Sequence, residues 1–270
     1  MAAIRRYVKK MFSISASRRF WLCVLGEVET KGDVHQIWLL RTRNSVDHED
    51  PKMLIVSAFH GEEKAGPYSI LKWMKNCDQN ILKKVDLSFI PIVNPIGFKR
   101  NTRYNTLGEK TNCGFCHPEN KESPSREGQI LINNIDLLRP LAEDGFLSLH
   151  EDISAKEFYL YTFDESKKSG EFTIGMRESL QKFFPKALDG VRVIVDTGVG
   201  PFVKDGIINH HKLHDGSFED WLHHLGVPRI VVTETPGTYQ LRRRINAGVY
   251  AINKFINLNL ELRNRKQSEE

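Results

Sequence analysis

The sequence predicts an α/β fold: a mixed, mostly parallel twisted sheet of about eight strands with helices on both faces. Three observations carry that expectation. Two apolar-rich runs open the pattern as a pair, and later runs alternate with stretches of helical periodicity, as in a sheet covered on both sides. The 270 residues, 40% of them hydrophobic, suffice for one substantial core. Finally, His60, Asn94, His150 and Glu234 each fall at or just past the carboxyl end of an expected strand. Open sheets of this kind place their sites there.

The elements follow in order. Alternating or continuous apolar runs predict strands near 20–28, 35–43, 53–59, 85–93, 146–150, 157–163, 191–196 and 228–234. The run Met53-Leu-Ile-Val-Ser-Ala-Phe59 has the length and composition of a buried strand. Helical periodicity marks 66–76, 127–141, 170–183, 217–225 and 240–262. In the last, Ile245, Val249, Ile252, Phe255, Ile256 and Leu260 share one face, the spacing of a helix lying on a sheet. Ser217 with Asp220 supplies an N-cap and an acid suited to the helix dipole. No repeat, low-complexity tract or linker interrupts the chain, so residues 1–270 are expected to form one domain, with 1–18 a basic N-terminal arm.

Charge and cysteine usage exclude several function classes. The net charge of +5 is spread through Arg5-Arg6, Lys9-Lys10, Arg18-Arg19 and Arg242-Arg243-Arg244. Interleaved stacking aromatics are found only faintly, at Tyr7, Phe12 and Phe20, so no nucleic-acid surface is expected. No run approaches the roughly 18 apolar residues of a membrane span. Met11-Phe-Ser-Ile-Ser-Ala-Ser17 is too polar for a secretory segment, which implies a cytoplasmic protein. Cys23, Cys77, Cys113 and Cys116 do not resemble a disulfide framework in a chain of this length.

The chemistry concentrates in a few positions. His60 and Glu63 set an imidazole and a carboxylate three residues apart where a buried strand runs out into a loop. With a third ligand from elsewhere and one position left open, such a pair forms the arrangement that holds a hydrolytic zinc. His150 closes Gly145-Phe-Leu-Ser-Leu-His150, and Glu234 ends an otherwise apolar strand in Arg229-Ile-Val-Val-Thr-Glu234. Each has an ordinary reading: a solvated loop, a hydrogen-bonded core histidine, a surface glutamate. A carboxylate driven toward an interior is costly unless it serves a partner or a reaction.

Taken in order over roughly residues 53–240, these positions resemble the zinc carboxypeptidase superfamily, which includes the aspartoacylase and succinylglutamate desuccinylase amidohydrolases. His60 and Glu63 match its H-x-x-E ligands, Asn94-Pro95-Ile96-Gly97 its N-P-x-G turn, and His150 its third zinc ligand. Arg103, nine residues beyond Asn94, matches the transition-state arginine of the aspartoacylase branch. Gly216-Ser217-Phe218-Glu219-Asp220-Trp221 resembles the carboxypeptidase G-S-x-x-D-W segment, and Glu234 stands at the spacing of the general base. The resemblance implies a zinc carboxypeptidase-like fold and a Zn²⁺ ion held by His60, Glu63 and His150. It also implies Glu234 and Arg103 as catalytic groups, with Arg103, Asn112 and His211 contacting substrate.

The pattern also departs from the family. Where G-x-D-x-N-R is usual, this chain reads Gly108-Glu109-Lys110-Thr111-Asn112-Cys113. Lys110 replaces the acid that orients the first zinc histidine, and Cys113 replaces the arginine that grips the substrate carboxylate. Glu109 is a candidate for the first role, and Lys110, Arg100 and Arg126 for the second. His211 stands where carboxypeptidases carry a mobile tyrosine. Cys113-Gly-Phe-Cys116-His117 spells a haem-attachment pattern, read here as coincidence, with Cys113 a surface thiol near the cleft mouth.

The implied activity is hydrolysis of an amide bond beside a free carboxylate, at the C-terminal residue of a peptide or peptidoglycan fragment. Two alternatives stand beside it: deacylation of N-acyl amino acids, or a catalytically impaired zinc-binding relative. The implied partner is a peptide or acyl-amino-acid substrate with a free carboxylate, with neither nucleic acid nor membrane. Oligomeric state is not legible.

Overall fold

The computed structural model describes residues 2–30, 32–42, 50–116, 122–164, 169–195, 198–209 and 215–269. The chain opens with helix α1 (Ala2–Arg18) and strands β1 (Trp21–Thr30) and β2 (Asp33–Arg41). β3 (Lys52–Ser57), α2 (Ala65–Asn76), β4 (Asp86–Ile90) and α3 (Pro95–Arg100) follow, then α4 (Arg126–Asn133), α5 (Ile135–Leu141) and β5 (Gly145–Asp152). Next come β6 (Tyr159–Thr162), α6 (Glu171–Gln181), β7 (Arg192–Val195), β8 (Gly198–Phe202) and β9 (Ile207–Asn209). The last elements are α7 (Phe218–His224), β10 (Ile230–Pro236) and α8 (Leu241–Glu269).

Eight strands join one sheet in the order β1-β2-β4-β3-β5-β10-β6-β9. Its centre, β4-β3-β5-β10, is parallel, and the opening pair β1-β2 is antiparallel. Alternation along the central strands divides the core in two. Met53, Ile55, Leu147, Leu149 and Val231 face one layer with residues of α2, α6 and α8, while Leu54, Val56, Phe146 and Ile230 face another with residues of α4, α5 and α7. Every residue of β5 from Gly145 to Glu151 is buried, as a strand covered on both faces requires.

Three expectations change, and two short elements, β9 and α3, are not among those expected. The run at 191–196 lies outside the main sheet: β7 pairs with β8 in a separate ribbon, and the eighth place goes to β9. At three residues β9 is too short to show a period. The helix expected over 127–141 divides at Asn134, whose Nδ2 donates to Ile130 O and Leu25 O. α3 has only six residues and no visible periodicity.

The basic arm over 1–18 is the third, because residues Ala2–Arg18 form helix α1. Its Ile4, Tyr7, Met11 and Ser15 are buried at helical spacing while Arg5, Arg6, Lys9 and Lys10 face solvent. Tyr7 Oη donates to Pro67 O at 2.9 Å, fastening α1 to α2. Among the described residues, no helix is long and apolar enough to cross a membrane. Cys23, Cys77, Cys113 and Cys116 form no disulfide.

Candidate metal centre

The site begins where β3 and β4 end side by side. Ala58 turns the chain out of β3 with φ of 53°, and Asn94 N donates to Ala58 O at 2.9 Å. Ser57 Oγ donates to Pro91 O at 2.6 Å. The two loops then pack backbone on backbone. A Cβ on Gly61 would lie 1.9 Å from the carbonyl carbon of Gly97, so neither position has room for a side chain. Asn94 caps α3 by accepting from Gly97 N at 2.7 Å, and its Nδ2 donates to Arg103 O at 3.2 Å. Gly61 N donates to the same carbonyl at 3.2 Å. One asparagine and one close contact thus tie the loop bearing His60 to the loop bearing Arg103.

His60, Glu63 and His150 converge as a buried group whose donor atoms all lie within 4.8 Å of one another. Glu63 Oε1 lies 2.5 Å from His60 Nδ1, and Glu63 Oε2 lies 3.0 Å from His150 Nδ1. Arg103 Nη1 stands 3.6 Å from Glu63 Oε1 and 3.7 Å from Glu62 Oε1. Burial pushes the Glu63 carboxyl up, but the adjacent imidazoles outweigh it and hold the group well below the carboxylate range. For His150 burial favours the neutral ring, and the charges of Glu63, Glu219 and Glu234 overturn that preference and raise it. The cluster therefore calls for positive charge at its centre. Two imidazole nitrogens and a carboxylate, all buried, are the donor set of a hydrolytic zinc, and a cation there would take the place of the proton.

A carboxylate that the spacing argument missed stands behind His150. Glu219 Oε1 lies 3.4 Å from His150 Nε2, and Glu219 Oε2 accepts from Asn112 Nδ2 at 2.9 Å. Burial raises this group too, but His150, Ser148 and Asn112 together lower it below its ordinary range. Asn112 Oδ1 accepts from Phe218 N at 3.0 Å, so this side chain also steadies the start of α7. A signal existed: Glu219 lies in the inward stripe of α7 with Phe218 and Leu222, all three buried. A carboxylate buried there needs a partner.

Glu234 enters from the next strand. It is the register partner of His150 on β5 and of Tyr159 on β6. Burial raises its carboxyl well above the ordinary range, His150 opposes, and Glu63 and Asp152 raise it further. His60, Glu63, Arg103, Asn112, His150 and Glu234 all line one cavity of about 540 Å³. The ribbon β7-β8 contributes Arg192 and Val193 to its wall, and β6 contributes Tyr159 and Tyr161. Tyr159 Oη donates to Asp152 Oδ2 at 3.0 Å.

The family model of the succinylglutamate desuccinylase/aspartoacylase catalytic domain matches residues 49–197, a span that includes His60, Arg103 and His150. The chain belongs to this family. A "putative metallopeptidase" of Shewanella amazonensis is 35% identical, with 95% of this chain and 93% of that one covered at a TM-score of 0.84. A protein of the same description from Shewanella denitrificans is 33% identical, over 94% and 89% of the two chains, at 0.83. A metallo-carboxypeptidase of Burkholderia cenocepacia shares the fold at 14% identity and a TM-score of 0.70, over 96% of this chain and 69% of that one. A search of curated proteins returned no match.

As a member of the desuccinylase/aspartoacylase family, the chain differs at the positions that departed from the superfamily pattern. Lys110 pairs with Glu122 at 2.5 Å rather than meeting the site. Glu109 accepts from Asn105 Nδ2 at 2.6 Å and from Arg126 N at 3.3 Å, and does not line the cavity. Arg126 donates to Glu29 O, and neither it nor Arg100 nor Lys110 lines the cavity. Cys113 is buried on the cavity wall and is not a surface thiol. His211 and His117 lie outside the described residues.

Proposed function

We propose that this protein is a zinc-dependent amidohydrolase that cleaves an amide bond beside a free carboxylate, a metallocarboxypeptidase-like activity on the C-terminal residue of a peptide or peptidoglycan fragment. One observation carries the reading: Glu234 is the register partner of His150 and lines the same cavity as the His60-Glu63-His150 group. A proton acceptor and a metal-ligand set then face one space.

In this reading His60, Glu63 and His150 hold the ion. Zinc bound there supplies Lewis acidity and lowers the pKa of water toward about 7. Glu234 takes the proton of the attacking water and delivers it to the leaving amine, a shuttle for which a raised carboxyl is suited. Arg103, held by its backbone to Asn94 and Gly61, offers a fixed guanidinium to the developing oxyanion. Asn112 positions Glu219, and Glu219 orients His150. Glu151, on the opposite face of β5, accepts from Ala65 N at 2.7 Å and pairs with Arg244, and so fixes the start of α2 beneath the site.

A second reading keeps site and metal and makes the substrate an N-acyl amino acid. The family model and the nine-residue interval from Asn94 to Arg103 favour it. Turnover of dipeptides against N-acyl amino acids separates the two, and turnover of neither by zinc-loaded protein counts against both. Glu234→Gln should keep zinc and lose hydrolysis by on the order of a hundredfold or more. Intact turnover in that variant rules Glu234 out as the base.

A further inference from the structure

A second cluster of metal-ligating side chains lies on the other side of α7. Cys116, Asp220 and His224 bring a thiol, a carboxylate and an imidazole within 4.8 Å of one another. Cys116 Sγ donates to Asp220 Oδ2 at 3.6 Å, and His224 Nε2 lies 3.5 Å from Asp220 Oδ1. Asp220 and His224 stand four residues apart on α7, the spacing that puts two ligands on one helical face. Their neighbour Glu219 turns instead toward His150, because successive helical residues point in different directions.

We propose that Cys116, Asp220 and His224 form a second, structural zinc site, distinct from the His60-Glu63-His150 centre. The donor set is one sulfur, one oxygen and one nitrogen, all types that zinc accepts in tetrahedral sites. With Zn–S about 2.3 Å and Zn–N or Zn–O about 2.0–2.1 Å, the edges of such a tetrahedron are about 3.3–3.6 Å. Cys116 Sγ lies 3.6 Å from Asp220 Oδ2 and His224 Nε2 3.5 Å from Oδ1, so each oxygen of the carboxylate has one of the other two donors at that spacing. Asp220 is fully buried and accepts from Gly216 N at 3.1 Å, so its carboxylate is fixed before any ion arrives. His224 is exposed, so solvent can supply the fourth ligand that closes the shell. Binding releases the Cys116 thiol proton to water.

The site would join the loop bearing Cys116 to α7, where Phe115 N already donates to Gly216 O at 3.0 Å and Phe115 packs on Phe218 and Trp221. That loop carries Asn112, and α7 carries Glu219. An ion at Cys116 therefore stiffens the pair that holds His150, without touching substrate.

Cobalt(II) reads the second site directly, because the His60-Glu63-His150 centre contains no sulfur. Protein purified without chelator should hold two zinc ions per chain. After replacement by cobalt it should show a thiolate-to-metal charge-transfer absorption in the near ultraviolet. Cys116→Ser should lose that absorption and one zinc, His224→Ala should bind the second zinc at least tenfold more weakly, and His60→Ala should keep the thiolate absorption. Cys113→Ser should keep it as well. No thiolate absorption in cobalt-saturated wild type, or a band retained by Cys116→Ser, overturns the proposal. If His60→Ala does not fold, the wild type, Cys113→Ser and Cys116→Ser decide it by themselves.

Discussion

Glu219 Oε1 stands 3.4 Å from His150 Nε2, on the side of the ring opposite the nitrogen that meets Glu63. The two ring nitrogens thus have separate tasks. Nδ1 belongs to the ligand cluster, and Nε2 points to a buried carboxylate whose other oxygen is held by Asn112. A carboxylate behind a ligating histidine fixes its tautomer and raises its basicity. Glu219→Gln should therefore weaken zinc affinity by roughly ten- to a hundredfold while leaving the fold intact, since glutamine can still accept from Asn112. Competition with a chromophoric chelator measures this. Unchanged affinity would leave Glu219 only the task of steadying α7.

Gly61 marks a purely steric constraint. Any side chain there meets the backbone of Gly97, not a flexible group that can swing away. Gly61→Ala must push the His60 loop from the Asn94 loop and break the Gly61 N to Arg103 O bond. We expect a loss of roughly 3 kcal/mol or more, among the larger single-residue effects, together with lower zinc content. Urea unfolding and metal analysis check both. A variant as stable as wild type, with full zinc, would show that the loops separate without cost.

Much of the site was legible because its residues sit where a strand pattern stops. His60, His150 and Glu234 end apolar runs, and Glu63 and Arg103 keep fixed intervals from His60 and Asn94. The mixed, mostly parallel sheet covered on both faces followed from the alternation of strand and helix patterns. Glu219 and Glu151 were not legible in this way, since each lies inside an element and matters only through the face it buries. Short elements failed for a related reason: β9 has three residues and α3 six, fewer than a period needs to repeat. In α1 four basic residues within Arg5–Lys10 masked the buried series of Ile4, Tyr7 and Met11. The departures at Lys110 and Cys113 were visible, but their consequences depend on packing. Lys110 finds Glu122, and the task expected of the missing acid is approached from α7 by Glu219 toward the other histidine.

Glu151 and Arg244 form a nearly buried ion pair between β5 and α8, with Glu151 also accepting from Ala65 N. Burial alone raises the Glu151 carboxyl, and Arg244 only partly opposes it. Removing the guanidinium leaves a desolvated carboxylate next to one backbone donor. Arg244→Met should cost about 3–5 kcal/mol. Adding Glu151→Gln to that variant should restore a substantial part of the loss, because the uncompensated charge is then gone. A double-mutant cycle by urea unfolding is the measurement. Additive losses would mean that the pair is not coupled.

Glu127 gives a pH dependence away from the metal ligands. Its carboxyl is buried at the first turn of α4, where burial raises it above its ordinary value and the Asn105 Nδ2 bond at 2.9 Å only partly offsets the shift. The folded state therefore holds this proton more tightly than the unfolded state does. The linked stability is fully present below the unfolded value of about 4.3 and is lost as pH rises through the folded value. Glu127→Gln removes the titration but keeps an oxygen to accept from Asn105. The variant should match wild type near pH 4 and exceed it in melting temperature at neutral pH, with the gap opening as pH rises. Because all other titrating groups are common to both proteins, the difference between the two melting curves isolates this one carboxyl. A gap that stays constant across that range would mean that Glu127 binds its proton equally in the folded and unfolded states, and a variant that falls below wild type as pH rises would mean that the folded protein stabilises the carboxylate.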